Sequence, residues 1–518
     1  MARLLAPVVA LLRDSRTREF FAWCLPALIA GLILRIMLTA QMPYAFFHDD
    51  TPDFFHTPER LLRDGEFRLN PKKTFLVPAL FTVPFLLRMP ALMAIPLFLH
   101  ALGLALVVIV GLLCRLWLVH WKRVIAPITL LTAVNPFLLW YEHSIMAETV
   151  YVFCTALVAL AGTVYALRRT WPAFLFLAAA LVLEAGARPE GKLLFGFGIL
   201  LVTVLHFREW RPHWPRMAGV FVLALAMHFL TKTSQAGLLL YTSVVRITPA
   251  SLKVAPGFEA YIGPLRADLQ QRWEEKPSFP FVHDRRAVAA AVARYLVEQT
   301  GASEKEARRR VNEFCLELAM ETCWRNFFYL PVYAYHKFRY VATRAPCGRL
   351  DNGWLFERQR EAYIGSLERT VQFSRALTGR TIANKAELHR FIDEHYGEVR
   401  WFNALLDGWV RAVNTARFPD RRFKDSAYPG VPFIYYGVPA YFALAALGVL
   451  AANVRPGPLQ SFHVSWGLTL LGLWYIIMLT GNVRPRFRLV FEPFWFVYIA
   501  VLAESLWLGA AALARRSP

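Results

Sequence analysis

Apolar runs of about 16–28 residues recur along this chain, close to the length an α-helix needs to cross roughly 30 Å of hydrocarbon. Seven fall in the first part, at about 20–40, 91–118, 124–140, 145–167, 172–187, 192–207 and 215–232. Three more fall near the end, at about 431–453, 462–480 and 489–511. A backbone that crosses lipid must satisfy its own polar groups, so these runs are read as helices. Of the 518 residues 56% are apolar and 18% charged, a composition that excludes an ordinary soluble enzyme. The fold class expected is an all-α polytopic membrane protein with about ten transmembrane helices.

The net charge of +21 sits in short basic clusters between the runs, which points to topology and lipid contact and away from nucleic acid. Arg13, Arg16 and Arg18; Arg115, Lys122 and Arg123; Arg168 and Arg169; Arg208, Arg211 and Arg216; Arg455; and Arg515 with Arg516 alternate onto one side. The positive-inside rule makes that side cytoplasmic. The first helix follows a basic stretch without a small-residue cleavage site, the pattern of a signal anchor.

Three segments follow: 1–232, a seven-helix module whose first outer loop spans 41–90; 233–430, a mainly helical extracytoplasmic block; and 431–518, three further helices. In the first loop, Pro58 to Phe67 reads as a surface helix. Residues 74–88 read as a short re-entrant or interfacial piece cut by Pro78 and Pro84. In the block, Arg285 to Glu298, Lys305 to Arg325, Glu357 to Leu377 and Ala386 to Val399 carry helical spacing. The aromatic stretch Trp324 to Val341 suits a helix on the membrane surface. Cys24, Cys114 and Cys154 are read as small core hydrophobes, and Cys323 with Cys347 as one candidate disulfide.

Four polar clusters share the outer side by this alternation: His48, Asp49, Asp50 and Asp53; Tyr141-Glu142-His143-Ser144 with Glu148; Arg188-Pro189-Glu190-Gly191-Lys192; and Arg484-Pro485-Arg486-Phe487-Arg488. The last breaks the positive-inside rule, and a bound phosphate explains it, since guanidinium groups fork onto phosphate oxygens. Lys72, Lys73, Arg188 and Lys192 add to the same positive field. Carboxylates facing a basic pocket suit a transferase with a lipid-phosphate donor.

Each group also has a purely structural reading. Asp49 and Asp50 fit an N-cap, Glu148 a helix-start carboxylate, and Arg188 with Glu190 a local ion pair. Arg484, Arg486 and Arg488 fit headgroup anchors, and Arg35 fits a snorkelling side chain. His48 and His143 read as hydrogen-bonding residues, and no metal ligand is assigned.

Leu34-Arg35-Ile36, then Asp50, Phe54, Leu61-Leu62, Gly65-Glu66-Phe67, Lys73 and Leu76 with Pro78 resemble the first loop of GT-C glycosyltransferases. The resemblance is to the branch of protein O-mannosyltransferases and lipid A aminoarabinose transferases. Asn135-Pro136 through Glu148, Arg188-Pro189-Glu190-Gly191, and Arg486-Phe487-Arg488 ahead of Glu492-Pro493 extend it. It implies a GT-C-like bundle, a polyprenyl-phosphate-linked sugar donor and catalysis on the outer face. By position it makes Asp50 the catalytic carboxylate, Glu148 the second acid, Lys73 the loop lysine and Arg486 the donor-phosphate arginine. The chain departs from the pattern in placing Asp49 before Asp50, Thr51 after it, and Thr74-Phe75 where two prolines are usual.

The reading that results is an outward-facing glycosyltransferase of a bacterial inner membrane. Its expected acceptor is a glycan, a lipid or a protein. Which of Asp49 and Asp50 is the base stays open. Hard carboxylates suit Mg²⁺ or Mn²⁺, though nothing in the sequence requires a metal. The alternative is a transporter or lipid flippase with an outer-face charged site, against which stand the absence of a repeat and the clustering of charge at one face.

Overall fold

A computed structural model describes residues 15–47, 51–70, 73–230, 236–247, 253–275, 285–342, 347, 349–350, 374–413, 417–419, 433–435, 437–479 and 489–514. The bundle begins with α1 (Ser15–Gln41). The first loop carries α2 (Thr51–Asp64) and α3 (Leu76–Leu86). Then follow α4 (Ala91–Trp117), α5 (Ile125–Ala133), α6 (Pro136–Glu142), α7 (Glu148–Arg168), α8 (Trp171–Ala187), α9 (Leu194–His206) and α10 (Trp210–Leu230). Among the described residues five helical spans are long and apolar enough to cross a membrane, six if α5 and α6 count as one broken span. Helix α8 is apolar but shorter. The protein is therefore an integral, polytopic helical membrane protein.

The run at 124–140, expected as one helix, is bent by 50° between α5 and α6. The cause is Asn135-Pro136. Proline has no N–H to continue the ladder and forces the preceding residue out of helical geometry, here to φ −61°, ψ 113°. Asn135 restarts the chain as the N-cap of α6, its side-chain oxygen accepting the Phe137 N–H at 2.9 Å.

The helix expected over Pro58 to Phe67 instead spans Thr51–Asp64, because the apolar Phe54 and Phe55 before it are also buried on its inner face. Helix α2 buries Phe54, Phe55 and Pro58 on one face and exposes Leu62, and it stops at Gly65, whose φ of +69° is the left-handed conformation of a helix C-cap. Helix α3, 11 residues, is about 16 Å long at 1.5 Å per residue, too short to span.

Beyond α10 lie α11 (Ala236–Val244), α12 (Glu259–Glu275), α13 (Arg285–Thr300), α14 (Glu304–Arg325) and α15 (Leu330–Ala342). Residues from Tyr241 to Ala319 enclose a hydrophobic cluster of their own, centred on Phe258, Tyr295 and Phe314. By contrast α16 (Lys385–His395) and α17 (Arg400–Val413) bury Phe391, Phe402 and Leu406 in the main cluster of the bundle. The segment Glu357 to Phe373 lies outside the described residues. Among the described residues there is one short antiparallel ladder, β1 (Arg417–Pro419) with β2 (Phe433–Tyr435). Helices α18 (Gly437–Val454), α19 (Gln460–Leu479) and α20 (Glu492–Ala514) complete the chain.

Cys24, Cys114 and Cys154 are buried as expected. The Cys323–Cys347 disulfide is not formed: both are free thiols, Cys347 buried and Cys323 at the edge of the separate cluster. At the other end of the bundle, Glu504 accepts the N–H groups of Val119, His120 and Trp121 at 2.6–3.0 Å and pairs with Arg455 at 2.7 Å. That carboxylate ties the α4–α5 turn to α20.

Candidate functional site

The junction between α6 and α7 is where the first loop docks. Phe46 and Ser144 form an isolated parallel bridge: the Phe46 N–H donates to the His143 carbonyl and the Ile145 N–H to the Phe46 carbonyl, each at 3.2 Å. The Ala45 N–H donates to the Leu92 carbonyl at 2.7 Å. Four residues after Phe47, the Thr51 hydroxyl donates to the Ile145 carbonyl at 3.1 Å. Both flanks of the acidic motif are thus fixed to one short segment. His48, Asp49 and Asp50 themselves lie outside the described residues. Over this segment, the Tyr396 hydroxyl donates to the Ala45 carbonyl at 2.8 Å and the Tyr44 ring packs on Phe391.

Arg188 follows α8 in extended geometry and lies between two carboxylates. Its Nη1 is 3.0 Å from Glu148 and its Nε 3.4 Å from Glu190. The guanidinium also faces the Tyr151 ring at 5.5 Å. Glu148 is the first residue of α7, where the helix dipole favours a carboxylate, yet it is buried and paired across the bundle. The structural readings of Glu148 and of Arg188 with Glu190 therefore both hold, and the pairing adds a contact that neither predicted. The Pro189–Leu193 turn crosses so close to the end of α8 that a side chain at Gly191 would strike the Glu184 carbonyl.

Lys73 lies 3.8 Å from Asp53 and 4.4 Å from the Phe54 ring centroid, and the Asn70 amide holds the same Asp53. Two residues on, Phe75 packs its ring against Gly186, two residues before Arg188. The lysine turn and the arginine turn are thereby neighbours. The residues flanking the acidic motif, the Tyr141–Glu148 cluster and the Arg188–Lys192 cluster meet at one end of the bundle, joined through Thr51–Ile145, Glu148–Arg188 and Phe75–Gly186. Lys72, Arg484, Arg486 and Arg488 lie outside the described residues. Past them, Glu492 at the start of α20 accepts the Asn135 side-chain amide at 3.1 Å.

Behind the junction runs a buried polar chain. Arg35 does not snorkel: its side chain is 3% exposed, because Glu142 faces it from α6 at 2.6 Å. The other Glu142 oxygen meets His100 Nδ1 at 2.9 Å, and His100 Nε2 meets His143 Nδ1 at 3.1 Å. Gly31 and Gly103 make room, since a Cβ at either would collide with Arg35 or with the Glu142 carboxylate. Burial, and after it the neighbouring His100, pushes His143 down to about 3, so its ring is neutral. His143 is the hydrogen-bonding residue its sequence suggested.

His100 and Glu184 were not singled out from the sequence. Glu184 is fully buried in α8 and accepts the Thr155 hydroxyl at 2.6 Å. The signal was present, because an ionisable residue inside an apolar run is costly and usually functional or paired. Among the described residues no group of three or more His, Cys, Asp and Glu side chains is gathered to hold a metal.

The fold and the site define a polytopic helical membrane protein with a charged, largely buried junction at one end of its bundle. No family model matches the sequence, and no curated protein matches it. Among solved structures, the crystal structure of ArnT from Cupriavidus metallidurans bound to undecaprenyl phosphate aligns over 94% of this chain and 78% of its own, with 13% identity and a TM-score of 0.31. That likeness is too loose to transfer a fold or an activity.

Proposed function

We propose that the chain is a GT-C-type glycosyltransferase that moves a sugar from a polyprenyl-phosphate donor to an acceptor hydroxyl on the extracytoplasmic face, in a bacterial inner membrane. The observation that carries this reading is the meeting of the loop anchors Phe46 and Thr51 with the Glu148–Arg188 pair at one end of the bundle. The resemblance of the first-loop residues to that family supplies the reaction class.

In this mechanism the acceptor oxygen attacks the anomeric carbon and the bond from that carbon to the phosphate oxygen breaks, inverting configuration. The acceptor proton passes to Asp50 or Asp49. The polyprenyl phosphate leaves with its added negative charge facing Lys73, Arg188, Arg484, Arg486 and Arg488. Glu148 orients Arg188 for that role. A Mg²⁺ or Mn²⁺ ion near the aspartates is compatible with the reading and is not needed for its proton balance.

The test uses purified full-length protein in nanodiscs with a radiolabelled polyprenyl-phosphate sugar and an extract of envelope glycans and lipids. Label moving to the acceptor, with release of polyprenyl phosphate, supports the proposal. Movement of the intact, unmodified lipid or solute across the bilayer without transfer supports a transporter instead.

A further inference from the structure

A continuous apolar face runs from the last turns of α14 into α15. Leu316, Met320 and Trp324 recur every fourth residue, so they share one face of α14. All are exposed, Trp324 at 83%. The chain then turns through Phe327–Tyr329, where Phe328 is 92% exposed, and Val332 and Tyr335 continue the face along α15. The opposite faces are packed. Cys315, Leu318 and Ala319 lie in the separate cluster, and Tyr333 donates its hydroxyl to the Ser243 carbonyl.

What covers this face is indicated by its neighbours. Helix α15 packs on α18 and α19, with the Phe338 and Phe442 rings 5.1 Å apart. Those helices expose Leu444, Leu447 and Leu450, and Leu468 and Leu471, as helices surrounded by lipid do. Arg325, beside the aromatic turn, pairs with Glu321 at 2.5 Å, and Arg309 near the start, 79% exposed, pairs with Glu306 at 2.9 Å. An exposed apolar face rich in Trp, Phe and Tyr has the composition of an interfacial anchor.

We infer that the Leu316–Tyr335 face inserts into the interfacial layer of the bilayer beside α18 and α19, and so fastens the Tyr241–Ala319 cluster to the membrane surface. The inference is independent of the transfer chemistry.

The test places a nitroxide at Phe328→Cys and, separately, at Met320→Cys, in full-length protein carrying Cys323→Ser, in phosphatidylcholine–phosphatidylglycerol nanodiscs. Power saturation compares relaxation by oxygen with relaxation by a water-soluble nickel chelate. Both sites should respond more to oxygen, while a label at Arg309→Cys responds more to nickel. A nickel-dominated response at either apolar site overturns the inference. So does shielding from both reagents, which would mean that a second copy of the chain covers the face. Should one variant misfold, the other decides alone.

Discussion

Arg188 Nη1 stands 3.0 Å from Glu148 Oε1, a partly buried ion pair between the end of one bundle helix and the start of another, 40 residues apart in sequence. Arg188 keeps Glu190 at 3.4 Å when Glu148 is removed, so the loss is that of one charge-assisted hydrogen bond, about 1.5–3 kcal/mol. Glu148→Ala should therefore destabilise the protein by roughly 2 kcal/mol, and Glu148→Ala with Arg188→Ala by less than the sum of the single changes. Thermal unfolding in detergent of the four proteins of this cycle measures the coupling. Additive effects would show that the two side chains do not interact.

The glycines beside the buried polar chain separate close approach from helix propensity. Gly103→Ala should be destabilising by more than 2 kcal/mol, because its methyl group would occupy the Glu142 carboxylate position and break the contacts to Arg35 and His100. Gly196→Ala, on a helix with nothing near the new methyl group, should instead stabilise by about 0.5–1 kcal/mol. The same unfolding assay reads both.

His143 gives stability a pH dependence of known sign. Its folded value of about 3 lies below the ordinary value of 6.5, so between the two the unfolded chain binds the extra proton. Stability is fully present above about 6.5 and is lost as pH falls toward 3, with a limiting slope near 1.4 kcal/mol per pH unit. His143→Gln should unfold with a shallower acid slope over that window. An unchanged slope would place the acid sensitivity in other groups.

The late arginines should act on the donor. Arg486→Ala is expected to weaken polyprenyl-phosphate binding by about tenfold, or about 1.4 kcal/mol, with a weaker effect for Lys73→Ala, since Asp53 already engages that lysine. Equilibrium binding of a fluorescent polyprenyl phosphate checks both, and equal affinity in wild type and Arg486→Ala would remove the arginine from the pocket.

Much of this architecture was legible because lipid leaves a backbone few choices: an apolar run of spanning length becomes helix, and the helices fall where the runs do. The break at Asn135-Pro136 was written in the sequence as well, but a continuous hydropathy window passes over it. Single polar residues inside apolar runs were the main loss. His100 and Glu184 are hidden by their neighbours in any average, and their partners Glu142 and Thr155 lie on other helices. Arg35 read as a snorkelling residue for the same reason, since its direction depends on a carboxylate 107 positions away. The small ladder at Arg417–Pro419 depends on pairing across 16 residues, which no local pattern encodes.

The acidic motif decides the proposal. With labelled polyprenyl-phosphate sugar and saturating acceptor, Asp50→Asn should lower the transfer rate by at least about a hundredfold, with donor binding nearly unchanged, and Asp49→Asn should have a smaller effect. Transfer at the wild-type rate in both Asp50→Asn and Asp49→Asn would contradict the assignment of a carboxylate base at this loop.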